Sequence, residues 1–466
     1  MAKVLLVHPW NFHEEGINYT PKQLQQIWRN APLGLVLLAT ELQNAGHDVK
    51  ICDLERNLIV NGGDIDQALM QLKNLIENET PDFIGITILS IRYIEAQRII
   101  NLCNEIRQNA TKSFKIVAGN IHSSSEPELT FNENPALDAI FIGEADDPFK
   151  KFIEGVSLEK IQGVAYRQGD RIIQNSEWLV SDLDALPFPN WNFIDTQFYA
   201  APNFSAHGRK DKPARSLDII TSRGCVYHCS FCVYNKARYR CNSPEYVIGN
   251  IEFMLSSFDI DSIYFLDSSL GNNRRQLVSI CEILIEKGLN SKFKWSANMR
   301  SNQVDEDILK LMWKAGCRKL LYGFESGSQR ILDLMKKKCT VEQNSTAAKL
   351  HKKLGFPYHA SMIMGFPGET VKDLKLTLNW LKKNRPPVVG INTYVPLPGS
   401  EDYLKLKSEG KIKVQDPNIW RLLGEVNNKE GQIFSDVPTE IFWKYYEKMQ
   451  ALSMEFRDKE NKYFKE

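Results

Sequence analysis

Short runs of apolar residues alternate with longer helical patterns along the first 150 residues. The runs predict buried strands at 4–9, 49–54, 83–87, 114–119 and 139–145. Helical periodicity covers 33–47, 64–78 and 92–109, and the first of these stretches ends at Gly46, a residue type that commonly stops a helix. Strand and helix units in alternation, with continuously apolar strands, predict a doubly wound parallel sheet in an α/β domain. Ligands bind such sheets at the carboxyl ends of the strands.

A second series of strand and helix patterns begins near residue 217. Strands are predicted at 217–222, 262–267, 293–299, 319–324, 358–366 and 389–396. Helices are predicted between them at 245–256, 274–287, 304–315, 341–354 and 370–384. Six consecutive units of this kind predict a partial (β/α)6 barrel, whose active site would lie at the carboxyl ends of its strands.

The stretch between the two series follows neither pattern. IQGVAYRQGDRIIQ predicts a small hairpin, and the residues after it are rich in proline, asparagine and aromatics. These aromatics either pack over a cleft or dock on a domain surface. We therefore predict an α/β domain at 1–154, a hairpin and linker at 155–214, the barrel at 215–400 and a C-terminal helical cap at 401–466.

Composition narrows the class of protein. The chain has 466 residues, of which 43% are hydrophobic and 25% charged, as in ordinary globular proteins of two or three domains. A net charge of +1 gives no reason to expect binding to nucleic acid or to an anionic membrane. Without a run of about 18 apolar residues or a signal peptide, we expect a cytoplasmic protein with no transmembrane segment.

Nine cysteines are too few, and odd in number, for a disulfide scaffold. Three of them, Cys225, Cys229 and Cys232, occur as C-x3-C-x2-C in TSRGCVYHCSFCVYN, directly after the first barrel strand. Thiolates hold iron–sulfur clusters, normally four for a cubane, so three would leave one iron open to a ligand. The alternative is a zinc or structural site with Cys241 or His228 as a further ligand.

This motif, with Phe231 before its last cysteine, resembles that of the radical S-adenosylmethionine (SAM) enzymes. The resemblance covers 215–400 and includes LLYGFESGSQRIL, MIMGFPGET and VPLPGSEDY. It implies a catalytic [4Fe-4S] cluster on the three cysteines, whose open iron binds SAM and whose electron cleaves it to methionine and a 5′-deoxyadenosyl radical. An external reductant such as flavodoxin or ferredoxin is implied as a partner.

The resemblance also implies contacts to SAM near the carboxyl ends of the barrel strands. Phe231 would pack on the adenine, Asp267 would face the methionine amino group, and Arg300 would pair with the methionine carboxylate. Glu325 would accept hydrogen bonds from the ribose or the ammonium, and the backbone of Gly365 would approach the ligand closely. For each residue the alternative is an ordinary solvated or salt-bridged position. The full predicted set is Phe231, Asp267, Ser268, Arg300, Glu325, Ser326 and Gly365.

The N-terminal stretches VLLVHPW, APLGLVLLATELQNAGHDVKICDL, PDFIGITI and KIVAGNIHSSSEPE resemble the Rossmann-like cobalamin-binding domain that precedes the barrel in one subfamily of these enzymes. Cobalamin is therefore implied as a further cofactor. The Asp-x-His-x-x-Gly string that supplies a cobalt ligand in many cobalamin domains is missing. His122 is a candidate neighbour of the cobalt, or else a helix-capping or solvent-facing residue. The predicted cobalamin contacts are His8, Thr87, Ser90, Gly119, His122, Ser123, Gly143 and Glu144.

The resemblance leaves three functions open. The first is a methyltransferase that moves a methyl group from methylcobalamin to an unactivated carbon by way of the 5′-deoxyadenosyl radical. The second is a radical cyclase, oxidoreductase or rearrangement enzyme, similar to a tetrapyrrole cyclase, without methyl transfer. The third is an iron–sulfur barrel beside a docking domain that binds no cobalamin. The substrate is expected to be a small molecule, and the aromatics of 190–206 and the C-terminal cap fit an apolar or planar one or mere packing.

Overall fold

The computed structural model describes residues 1–10, 31–200, 214–234, 237–412 and 432–460. The chain divides into two compact units. The N-terminal unit contains Met1–Phe198, Leu397–Gly399 and Tyr403–Gly424. The barrel unit contains Tyr199–Pro396, Ser400–Asp402 and Glu425–Glu466. Within the described ranges, no helix has the length and apolar character needed to cross a bilayer.

A seven-stranded sheet forms the centre of the N-terminal unit. Its order is β2-β1-β3-β4-β5-β6-β7, and the first five of these strands are parallel. The strands are β1 Lys3–His8, β2 Asp48–Asp53, β3 Phe83–Thr87, β4 Lys115–Gly119, β5 Ala139–Phe141, β6 Val164–Gln168 and β7 Arg171–Gln174. The helices are α1 Leu33–Asn44, α2 Leu54–Val60, α3 Ile65–Glu79, α4 Tyr93–Asn109, α5 Ile121–Ser125, α6 Pro127–Glu133, α7 Asp146–Ile153 and α8 Thr196–Tyr199.

The strand order confirms the predicted doubly wound sheet. The chain leaves β1 in one direction to form β2 and returns to the other side of β1 to form β3, so the order reverses at β1. The centre is tightly packed, because a Cβ added to Gly85 on β3 would lie 2.9 Å from Leu6 Cδ2 on β1. Because these strands are parallel, the carboxyl ends of β1, β3, β4 and β5 lie at one edge, where such sheets bind ligands.

The predicted hairpin forms, but it is the edge of this sheet rather than part of a linker. Strand β6 pairs antiparallel with β5 through Ile140 and Ala165, and β7 pairs with β6. Val164 and Tyr166 are buried in the same core as the parallel strands. The sequence pattern predicted the hairpin, but it did not indicate which strand the hairpin pairs with.

The aromatic segment after the hairpin docks on the N-terminal unit. Trp191 is fully buried, and Phe193 packs against the core of this unit. The backbone N–H of Asn190 donates to Thr40 Oγ1 at 2.9 Å, and Arg56 forms an ion pair with Asp195 at 2.8 Å. Residues 190–198 therefore dock on the N-terminal unit. Residues 201–213 lie outside the described part of the chain.

The barrel unit contains a six-stranded parallel sheet in the order β15-β14-β13-β12-β11-β8. Its strands are β8 Ser216–Ile219, β11 Ser262–Phe265, β12 Lys294–Met299, β13 Cys317–Glu325, β14 Tyr358–Met364 and β15 Val388–Thr393, and the short pair is β9 Ser222–Arg223 and β10 Arg240–Cys241. Its helices are α9 Pro244–Ser257, α10 Arg274–Glu286, α11 Leu289–Lys292, α12 Glu306–Lys314, α13 Gln329–Leu334, α14 Val341–Leu354 and α15 Val371–Asn384. Next along the chain is α16 Glu401–Ser408, whose residues from Tyr403 onward belong to the N-terminal unit, and then α17 Thr439–Glu460.

Because the six strands follow one another in order, right-handed connections place their helices on the same side of the sheet. Contacts confirm that this side is apolar and covered. Trp295 Nε1 donates to the carbonyl of Ala315 at the end of α12, and the Phe324 ring packs edge-on against Trp380 of α15. The predicted partial (β/α)6 architecture is therefore confirmed, and the opposite face of the sheet is its concave interior.

The buried Trp191 gives a test of the docked segment. Replacing Trp191 with alanine should lower the free energy of unfolding by about 3–5 kcal/mol, because a large cavity is left in the core. The matched control is Met70→Ala, since Met70 is 56% exposed on α3 and should change stability by less than about 0.5 kcal/mol. Urea unfolding followed by circular dichroism measures both. Equal effects of the two substitutions would contradict the docking.

Candidate active site

The cysteine loop is shaped at its start by Gly224. This residue has φ +81°, and a Cβ there would lie 2.3 Å from the carbonyl oxygen of Arg238. The next residue, Cys225, donates its N–H to the carbonyl of Ala237 at 3.3 Å. The loop thus folds back on itself over a position that only glycine fits.

The three cysteines belong to one short loop, and Cys225 and Cys229 are near enough to Cys232 to affect its pKa. The N–H of Cys232 donates to the carbonyl of Cys229 at 3.1 Å. Cys225 Sγ accepts from Asn272 Nδ2 at 3.7 Å, and Cys229 Sγ accepts from Arg300 Nη1 at 3.5 Å. Burial raises the pKa of Cys232 to about 11, and the neighbouring thiols also raise it. Three cysteines in one loop fit an iron–sulfur cluster, which binds its cysteines as thiolates.

The two alternative ligands have different surroundings. Cys241 is on β10, where its Sγ accepts from Asn273 Nδ2 at 3.5 Å, and His228 is exposed. Over the described ranges, no group of three or more His, Cys, Asp or Glu side chains is placed to hold a single metal ion.

Arg300, at the end of β12, anchors the loop. Its guanidinium lies 3.6 Å above the ring of Tyr227, and besides Cys229 it donates to the carbonyl of Lys337. Its Nε is buried and has no hydrogen-bond partner among the described residues. The pairing of Arg300 with the methionine carboxylate stays a prediction. The structure shows two other contacts of this side chain, a cation–π contact with Tyr227 and a hydrogen bond to Cys229.

Asp267 and Ser268 join β11 to the same loop. Asp267 is buried and accepts from the N–H of Thr221 at 3.2 Å, from its hydroxyl at 2.9 Å and from the hydroxyl of Ser222. Ser268 donates to the carbonyl of Gly224 at 2.9 Å. Burial raises the pKa of Asp267. Both side chains brace the turn before the cysteines, and their predicted contact with the methionine amino group stays a prediction.

Glu325 ends β13 in the left-handed region, at φ +61°. Its carboxylate accepts from Lys337 Nζ at 2.6 Å, and each side chain of this pair is only 7% exposed. The Nζ of Lys337 also lies 5.9 Å from the centre of the Phe231 ring. Sequence reasoning missed Lys337, because a lysine in the run KKK is usually solvated; its neighbours Lys336 and Lys338 both have positive φ, which shows a constrained loop.

The last two predicted SAM contacts have different surroundings. Ser326 is fully buried and its hydroxyl lies 3.2 Å from that of Thr377 on α15, on the helix-covered side of the sheet. Gly365 has φ +88° and donates its N–H to Glu369 Oε2 at 2.7 Å. Glu369 is fully buried, and burial raises its pKa to about 8.

In the N-terminal unit, the loop after β4 is strained. Asn120 has φ +82° and ψ 179°, a region that non-glycine residues rarely occupy. Its side chain donates to Thr87 Oγ1 at 2.7 Å and accepts from the N–H of Ile121 at 2.6 Å. Among the described residues, a Cβ added to Gly143 meets no atom within 4 Å, and one on Gly119 meets only the carbonyl of Phe141, at 3.8 Å. The described backbone at these two glycines is therefore uncrowded, as the approach of a large planar cofactor requires.

His122 lies inside this unit. It is fully buried, its Nδ1 lies 3.0 Å from Ser90 Oγ, and its ring packs on that of Tyr93 at 4.3 Å. Burial lowers its pKa to about 3, so the imidazole is neutral. Ser123 donates to the carbonyl of Asn120 at 3.1 Å. The proximity of His122 to cobalt stays a prediction, and its observed environment is that of a packing residue that supports the loop.

The other predicted cobalamin contacts are also tied to the unit. His8 Nε2 lies 2.7 Å from Arg92 Nη1, and Arg92 pairs with the buried Glu55 at 2.7 Å. Glu144 accepts from the N–H of Val180 at 2.8 Å. These contacts order the loops after β1, β3 and β5. Asn120 and Arg92 were missed, since nothing in their local sequence marks them.

Comparison with known proteins agrees with this geometry. Residues 219–381 match the sequence model of the radical SAM superfamily, and residues 29–153 match that of the B12 binding domain. The chain therefore combines a radical SAM domain with a B12 binding domain. A [4Fe-4S] cluster, SAM and cobalamin are accordingly its cofactors.

Two related proteins and one solved structure show how far the similarity extends. An uncharacterized methyltransferase of Pyrococcus horikoshii is 29% identical over 79% of this chain and 77% of its own. The anaerobic magnesium-protoporphyrin IX monomethyl ester cyclase of Rubrivivax gelatinosus is 26% identical over 89% and 71%. The cobalamin-dependent SAM radical enzyme OxsB with aqua-cobalamin bound shares the fold, with a TM-score of 0.67 and 22% identity over 88% of this chain; the chain spans 56% of OxsB.

Single replacements of Cys225, Cys229 and Cys232 by alanine should each abolish the cluster of this radical SAM enzyme. Iron and sulfide content and the visible absorbance of the anaerobically reconstituted protein measure the loss. The control is Cys241→Ala, which should keep both the cluster and SAM cleavage because Cys241 contacts Asn273 instead. Loss of the cluster in the Cys241 variant would support the alternative ligand set.

Replacing Lys337 with methionine should destabilise the barrel unit by about 3–5 kcal/mol, because it leaves the Glu325 carboxylate buried and unpaired. We also expect weaker SAM binding, measured by isothermal titration calorimetry on the reconstituted protein. Lys338→Met is the matched control, since Lys338 is exposed in the same loop. Adding Glu325→Gln to Lys337→Met should restore stability; failure to do so would mean that the pair is not what holds the loop.

Proposed function

We propose that the protein is a methyltransferase that transfers a methyl group to an unactivated carbon of a small molecule. The observation that carries this proposal is the presence, in one chain, of a three-thiol loop at the mouth of a (β/α)6 barrel and a B12 binding domain. Similarity to a methyltransferase over most of both chains supports it.

When bound, the reduced cluster and SAM supply a 5′-deoxyadenosyl radical, and cobalamin supplies the methyl group. The residues of the chain hold and orient these groups. Cys225, Cys229 and Cys232 would hold the cluster, Arg300 would orient Cys229, and the Lys337–Glu325 pair would fix the loop beside Phe231. In the N-terminal unit, the uncrowded backbone at Gly119 and Gly143 would receive the corrin ring.

Burial of these groups serves the chemistry in a second way. Arg300, Lys337 and Glu325 are all less than a tenth exposed, so their charges act in surroundings from which water is largely excluded. Electrostatic interactions are stronger there than in water. Exclusion of water also prevents side reactions of reactive intermediates. A small reducing protein such as flavodoxin or ferredoxin would deliver the electron.

A second function has its own support. Similarity to a cyclase over 89% of this chain favours ring formation or oxidation without methyl transfer. The residues described at the cluster bind cofactors that both reactions share. The two functions must therefore be distinguished by their products, because both use the same cofactors.

The deciding experiment uses the reconstituted protein with cluster, cobalamin, reductant and SAM that carries a deuterated methyl group. Methyl transfer predicts one S-adenosylhomocysteine and one 5′-deoxyadenosine for each deuterium-labelled product, quantified by mass spectrometry. Formation of 5′-deoxyadenosine and product without S-adenosylhomocysteine would assign the cyclase or oxidoreductase function. The Cys225→Ala variant is the negative control, and no 5′-deoxyadenosine under any condition would overturn the proposal.

A further inference from the structure

The concave face of the barrel sheet is polar. Register fixes which residues share it, because Asp218 pairs with Tyr264, Tyr264 with Ser296, and Ser296 with Lys319. Alternation along each strand then gives the rest of the polar set. Its members are Ser216, Asp218, Ser262, Tyr264, Ser296, Asn298, Lys319, His359, Ser361 and Asn392.

Side chains at the alternate positions are apolar and fully covered by helices, as with Leu217, Phe265 and Met362. The interior of a (β/α) barrel is normally filled with branched apolar side chains. Here Asp218, Tyr264, Asn298 and most of the other concave polar residues are instead only partly buried. The concave face of this sheet therefore presents hydrogen-bonding groups that the protein does not fully cover.

Part of this polar surface is satisfied internally. Tyr264 donates its hydroxyl to Asn298 Oδ1 at 2.8 Å, and Asn392 donates to Ser361 Oγ at 3.1 Å. These bonds run between strands on the concave face, which confirms that the side chains point to the same side. They also hold the polar groups in fixed positions before any ligand binds.

Other concave groups have no partner. Ser216 Oγ, Ser262 Oγ and His359 Nε2 are buried without a hydrogen bond among the described residues. Ser262 is fully buried, so its hydroxyl cannot rely on bulk water. Unsatisfied buried polar groups are costly and call for a partner. These groups show that the polar side of the sheet is not fully satisfied by the described residues.

Asp218 is the residue on this face that best indicates the charge of the ligand. It takes part in no ion pair and no hydrogen bond with the described residues, and burial raises its pKa to about 7. Its strand neighbour Tyr264 offers no positive charge. Lys319 lies three strands away, and its own pKa is lowered to about 8, by burial and by Arg457. Burial without a cation nearby disfavours the charged form of Asp218, and a positively charged group bound beside it would restore that form.

We propose that the substrate is a hydrophilic small molecule with a basic nitrogen, which Asp218 binds inside the barrel. This inference rests on the proposed function, because it assigns the substrate of that same site. It differs from the expectation of an apolar or planar substrate, to which the aromatics of 190–206 and the C-terminal cap pointed. Of these aromatics, Trp191 is buried in the N-terminal unit and Phe193 packs against its core. A wholly apolar molecule would leave the concave polar groups unpaired.

The test uses the reconstituted full chain with cluster, cobalamin and SAM, and pairs of fragments that differ only in one group. The pairs are 2-phenylethylamine with 2-phenylethanol, tryptamine with tryptophol, and cyclohexylamine with cyclohexanol. Ligand-observed NMR measures their affinities. We expect each amine to bind about tenfold more tightly than its alcohol, as for a charge-assisted hydrogen bond.

Asp218→Asn should remove this preference, and Asp307→Asn, an exposed aspartate of α12, should keep it. Unchanged cluster and cobalamin content shows that each variant is folded. Equal binding of amines and alcohols, no binding of any amine, or a preference that survives Asp218→Asn would each overturn the inference. Product analysis does not enter this measurement, so failure of methyl transfer and failure of amine selectivity are seen separately.

Discussion

The buried ion pair between Lys337 and Glu325 is the constraint on which the cysteine loop depends. That loop has little regular secondary structure of its own, so its shape comes from the segment packed against it. Ser230 donates its N–H to the carbonyl of Met335 at 3.0 Å, and Arg300 donates both to the carbonyl of Lys337 and to Cys229 Sγ. The pair fixes residues 335–338 to the end of β13, and these residues in turn fix the position of a cluster thiol. A charge pair of this kind contributes little net stability, but it specifies one arrangement of the loop.

The sequence predicted the strands and helices whose hydrophobic pattern is long, and it predicted the cysteine loop from its distinctive spacing. The barrel strands and their long helices lie within a few residues of their predicted ends, and C-x3-C-x2-C identified the loop of the site. Short elements were missed, such as α2, α13 and the β9–β10 pair, because two to seven residues carry too little periodicity. Lys337 and Asn120 were missed for a different reason. Their roles come from tertiary contacts and from backbone conformations that the local sequence does not reveal.

In both units, some polar side chains shape the site by bonding to the protein, while other surfaces would contact the ligand. In the N-terminal unit, Thr87, Ser90 and Ser123 contact the loop itself, so their polar groups are engaged within the protein. Among the described residues, the part of that edge which stays uncrowded is the backbone at Gly119 and Gly143. In the barrel unit, Asp267 and Ser268 brace the turn before the cysteines in the same way. Residues that a motif marks as ligand contacts can therefore act one step away, by holding the backbone that makes the contact.

The barrel strands carry two independent sets of information because their side chains alternate. Outward positions are mostly apolar and specify the fold, whereas inward positions are free to vary as long as the strands still pair. The recognisable motifs lie at the carboxyl ends of the strands, where cofactors common to the whole family bind. Asp218 and Tyr264 lie deeper, within the strands, and belong to no such motif. A site that hydrogen-bonds its ligand rejects an analogue without those groups far more strongly than an apolar pocket rejects a missing methylene. Specificity in this protein is therefore expected to come from these inward polar residues, while the ends of the same strands supply the chemistry.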